Sequence, residues 1–114
     1  MPALDTNRTI TQITITQGGA GAIDLVAAPG AGLKVFVVAY VVAIATTGQV
    51  QWFEGTGPTA LSGNMNLLAG TPHIVVGDGM SPVLQTNTAN VKLTLTSTTG
   101  IATGYIRYFI APES

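Results

Sequence analysis

Residues 35–45 read Val-Phe-Val-Val-Ala-Tyr-Val-Val-Ala-Ile-Ala, eleven positions without a charge, a proline or a glycine. The run falls well short of the roughly 20 residues a membrane-spanning helix needs. Its Val and aromatic content predicts a buried strand over 33–46. Strict alternation along that strand puts Leu33, Val35, Val37, Ala39 and Val41 on one face and Phe36, Val38, Tyr40, Val42 and Ile44 on the other. Both faces are apolar, so both must be covered. A sister sheet covers one. Either a loop of the same chain or partner subunits cover the other, because a bare run of this kind pairs readily with other chains. A domain this small has little spare chain to serve as a lid, which favours the partner subunits. Residues 105–110 raise the same question, with Ile106, Tyr108 and Ile110 opposite Tyr105 and Phe109.

The rest of the chain is punctuated in the same β-type manner. Residues 1–8 carry Asp5, Arg8 and Pro2 and read as an N-terminal arm, leaving 9–114 as a single β-sandwich domain. Residues 9–16 are β-branched almost throughout and predict a strand, broken by Gly18, Gly19 and Gly21. A second strand over 23–27 closes at Pro29-Gly30, a dipeptide suited to a type II turn. Val50 and Trp52 alternate with Gln51 in a strand over 49–54. Around Leu61, Met65 and Leu67 the spacing allows one helical turn, although Ser62-Gly63-Asn64 favours a bend. Short strands follow at 74–76 and 82–84, then clear ones at 91–96, with alternating Val91, Leu93 and Leu95, and at 101–111. About eight short strands separated by Gly and Pro predict an all-β fold, an antiparallel β-sandwich of jelly-roll type.

Composition narrows the function classes. Charged residues make up 8% of the 114, where an ordinary domain carries about 25%, while hydrophobic residues reach 46%. Such a surface favours one that is partly covered. Four Lys/Arg and a net charge of −1 give no basic stripe, which argues against nucleic acid. Residues 1–8 are polar and hold no apolar secretory core, and no membrane span is expected. Zero Cys removes disulfides, thiolate metal sites and Cys nucleophiles.

Catalytic chemistry finds no footing. His73 is the single histidine, so one chain cannot supply a two-His metal site, and beside Pro72 it reads as a strand-edge residue. Asp78 between Gly77 and Gly79 reads as a turn, since hard cations take several carboxylates. No G-x-S-x-G elbow accompanies His73, and no acid pair suggests glycoside hydrolysis. Gly18-Gly19-Ala20-Gly21 and Gly30-Ala31-Gly32 lack a phosphate-binding Lys. Trp52 and Phe53 could stack on a sugar or a partner, with core packing expected for at least one. The expectation is a non-enzyme with no catalytic residue, no metal and no cofactor.

The stretch from Tyr40-Val41 through the Thr47-Gly48 turn, the aromatic pair Trp52 and Phe53 with Gly55, and Leu61-Ser62-Gly63-Asn64-Met65-Asn66-Leu67 resembles small structural proteins of tailed bacteriophages. Gly104-Tyr105-Ile106-Arg107-Tyr108 is similar to the closing strand of the same proteins. The resemblance spans residues 33–110 and is to capsid decoration, or cement, proteins. It implies a β-sandwich on the outer surface of a virion capsid, binding the major capsid protein and assembling as a homo-oligomer, with a trimer favoured. No functional residue of that family carries over by position. The apolar faces nominate Phe36, Val38, Tyr40, Val42, Tyr105 and Tyr108 as the oligomer interface, and the arm nominates Pro2, Leu4, Asp5 and Arg8 as a capsid anchor. The alternative is a tail-fibre or lectin-like module that recognises a host surface glycan.

Overall fold

The computed structural model describes residues 9–16, 21–77 and 82–112. Ten strands run in chain order: β1 (Thr11–Thr16), β2 (Gly21–Val26), β3 (Leu33–Ile44), β4 (Gly48–Glu54), β5 (Thr59–Ala60), β6 (Met65–Leu67), β7 (His73–Val76), β8 (Leu84–Gln85), β9 (Leu93–Ser97) and β10 (Ala102–Pro112). The count exceeds the expected eight because two short strands on the edge of β4, β5 and β6, flank the bend around Leu61, where no strand was expected. The stretch around Leu61 is a bend. Leu61 N donates to Trp52 O at 2.8 Å and Trp52 N donates to Ser62 Oγ at 3.1 Å, which docks the bend on β4 and leaves no helical turn.

The strands form two antiparallel sheets. Sheet A has the order β1-β10-β3-β7, with β8 also on β3, and sheet B has β2-β9-β4-β5, with β6 also on β4. The pairs β1 with β10, β2 with β9, β3 with β7 and β8, and β4 with β5 and β6 are the rungs of one long hairpin. Rolling that hairpin into two layers adds the contacts of β10 with β3 and of β4 with β9. This is the strand order of a jelly roll.

The register within β3 departs from strict alternation. Arg107 pairs with Ala39 and Tyr108 with Val37, so Val38 is an extra residue without a partner on β10. A bulge of this kind shifts the facing of every residue beyond it. Val35 and Val37 point into the core before the bulge, and Tyr40, Val42 and Ile44 do so after it. Phe36 and Val38 therefore do not share a face with Tyr40 and Val42, contrary to the alternation expected from the sequence. The bulge also divides the neighbouring edge: β8 pairs with Phe36 and Val37, and β7 with residues 39–42.

The core lies between the sheets. Trp52 is fully buried at its centre, among Val50, Leu93, Leu95, Ile15 and Ile106. On the outward face of β9, Thr94 is buried, flanked by Asp24 on β2 and Phe53 on β4, while Thr96 stays half-buried. Two polar pins hold the loop after β8. Val35 N donates to the buried Thr86 Oγ1 at 3.1 Å, and the buried Glu54 carboxylate accepts from Asn87 N at 2.6 Å and Thr88 Oγ1 at 3.0 Å. Charge-assisted bonds offset the cost of burying that carboxylate. The turn before β3 sits two residues later than Pro29-Gly30 suggests. Leu33 N bonds to Gly30 O at 3.1 Å, and Gly32 at φ 77° takes the left-handed position.

Candidate interaction surface

Sheet A turns one face outward, and the registers assign its rows. Thr14, Tyr105, Val41 and Ile74 form one row across β1, β10, β3 and β7. Gln12, Arg107, Ala39 and Val76 form the next. Ile74 and Val76 are the most exposed apolar side chains of this face, at 58% and 69%. Both belong to the outer edge of the sheet, and Val75 between them turns inward onto the core.

Arg107 is the charge in this array. Its guanidinium lies 5.5 Å from the Tyr105 ring centroid, and its Nε donates to the neutral Gln12 Oε1 at 2.8 Å. No carboxylate pairs with it among the described residues. Aromatic and Arg side chains set among aliphatics are enriched where protein interfaces concentrate their binding energy. At the other end of the same face, Phe36 stacks on Phe109 with ring centroids 5.1 Å apart.

The nominated interface residues separate into two groups. Phe36 and Tyr105 are half-buried on the outer face of sheet A. Tyr40 and Val42 are buried in the core between the sheets, Tyr108 leans on that core, and Val38 is buried at the bulge. The physical reason is the bulge itself, which reverses facing along β3. Pro2, Leu4, Asp5 and Arg8 lie outside the described residues, as does Asp78. Sequence reasoning passed over Ile74, Val76 and Arg107. The three consecutive apolar residues Ile74-Val75-Val76 carried the usable signal, because on any strand they must place apolar groups on both faces.

Tyr40 links the two sheets at the core's margin. Its ring meets Trp52 edge-on at 4.9 Å, and its hydroxyl lies 3.2 Å from His73 Nε2 and 4.0 Å from Met65 Sδ. Trp52 Nε1 is buried and has no partner of hydrogen-bond geometry among the described residues. Burial pushes the Tyr40 phenol above its ordinary value of 10.0, and the nearby indole N–H opposes that shift in part. The folded state thus holds its proton where the unfolded chain releases it. This contribution is complete below pH 10.0 and is lost as pH rises through the folded value. Tyr40→Phe is expected to flatten the alkaline fall in unfolding free energy, measured by urea unfolding across that range. An equally steep fall in the variant would show that other groups cause it.

No three His, Asp or Glu side chains gather as a metal site among the described residues, and no helix there is long and apolar enough to cross a membrane. Comparison with family models, with curated proteins and with solved structures finds no match for this chain.

Proposed function

We propose that the chain is a structural, non-catalytic module that assembles with copies of itself through the outer face of sheet A and decorates a bacteriophage capsid. The single observation that supports this most is the Tyr105, Val41, Ile74 and Val76 surface around Arg107, in a chain with only nine charged residues. A surface of that chemistry gains by being covered, and each copy carries the same surface. The phage assignment rests on the resemblance of residues 33–110 to decoration proteins, from which a trimer is the favoured assembly. Many weak contacts repeated over a shell add up through multivalency. Residues 1–8 are the proposed capsid anchor, able to add an extended strand to a neighbour's sheet edge.

The test combines solution mass with binding to expanded, undecorated heads. An oligomer that binds the heads and raises their heat resistance supports the reading, and deletion of residues 2–8 should weaken binding while leaving the oligomer intact. A monomer at high micromolar concentration that fails to bind heads would overturn it.

A further inference from the structure

The outer face of sheet B has a different chemistry. Asp24, Thr94 and Phe53 form one row across β2, β9 and β4. Around them lies a groove of about 240 Å³, lined also by Thr56, Lys92 and Thr96. Lys92 Nζ sits 3.1 Å from both Asp24 carboxylate oxygens, and Thr94 Oγ1 donates to Asp24 Oδ1 at 3.3 Å. The ion pair remains open to solvent, with the two side chains 30% and 59% exposed for Lys92 and Asp24.

We propose that this groove binds one pyranose ring of a neutral glycan. A pyranose has an apolar C–H face and a rim of hydroxyls. The half-buried Phe53 ring offers the first a flat apolar contact. A vicinal diol needs an acceptor for one hydroxyl and a donor for its neighbour. Asp24 and Lys92 present the two side by side, because a carboxylate has about four acceptor positions and an ammonium three donors, and their mutual pairing leaves some of each free. The hydroxyls of Thr56 and Thr96 extend the polar rim. The pair is neutral overall, so a sugar acid has no net charge to meet and would face the Asp24 carboxylate. A larger groove of about 560 Å³ near Thr47 lacks both an aromatic floor and a charged group, and its Gln49 and Asn66 amides already bond each other at 2.9 Å.

The experiment is a nuclear magnetic resonance titration of the full chain with methyl glucoside, methyl galactoside, methyl mannoside, N-acetylglucosamine and fucose, and with glucuronate as the anionic arm. At least one neutral sugar is expected to shift the amides of Ala22, Asp24, Phe53, Thr94 and Thr96 saturably, with an affinity of about 1 mM for so open a groove. Asp24→Asn and Phe53→Leu should each weaken binding about tenfold. Thr56→Val serves as a third variant if Phe53→Leu lowers the unfolding midpoint. No saturable shift with any neutral sugar, equal binding by the variants, or tighter binding of glucuronate would overturn the proposal. Substitutions on sheet A leave this readout unchanged, so this inference and the assembly reading fail separately.

Discussion

Exchanging Ile74 and Val76 together for Lys is expected to leave a folded chain that no longer self-associates. Both side chains are largely exposed, so neither contributes much to the core, and Lys is a natural occupant of an edge strand. The change in folding free energy should stay within about 1 kcal/mol. Assembly responds differently. Each copy would have to bury unpaired ammonium groups, beside an Arg107 that also has no carboxylate partner among the described residues, at a cost of several kcal/mol. Sedimentation should therefore report the monomer mass for the double variant and a multiple of it for the parent. Tyr105→Lys should act in the same direction. Tyr40→Lys, in contrast, should unfold the chain, because Tyr40 lies in the core. An unchanged mass for the Ile74 and Val76 variant would remove the outer face of sheet A as the assembly surface.

Gly104→Ala should be among the most damaging single-methyl additions in the molecule. Gly104 is at φ 138°, in backbone space that side chains with a Cβ rarely occupy. It sits in β10 between Val42 of β3 and Ile15 of β1, at the middle of sheet A. A Cβ there would overlap the Val41 carbonyl oxygen and lie 2.8 Å from its carbon, so β3 would have to move. Backbone strain and overpacking together cost about 3 kcal/mol or more, a large share of a small domain's stability. The thermal midpoint should fall by roughly 10–20 °C. Gly57→Ala is the matched control, since beyond its chain neighbours no atom would lie within 4 Å of a Cβ there and its φ is not positive, and its midpoint should stay close to the parent's. A Gly104→Ala midpoint near the control would mean that β3 and β10 separate there without resistance.

Period-2 patterning and turn spacing were enough to define an all-β sandwich, because side-chain alternation is a local property of a strand. The strands at 9–16, 33–46, 49–54 and 101–111 were legible from β-branched runs bounded by Gly and Pro, and they correspond to β1, β3, β4 and β10 within a few residues. That both faces of β3 are apolar was legible too. Which residues occupy each face was not. That depends on the unpaired Val38, and the bulge exists only through pairing with Arg107 and Tyr108, some seventy residues along the chain. Alternation carried across it therefore placed Tyr40 and Val42 on the wrong side of the sheet. The groove on sheet B was illegible for a related reason. Asp24 and Lys92 stand 68 residues apart, and neither the ion pair nor its position in the row containing Phe53 follows from anything near either residue in sequence. Local chemistry determined that this chain forms strands with apolar faces. Long-range register decided which side chains meet across the sheets, because one extra residue in a strand reverses the facing of all that follow.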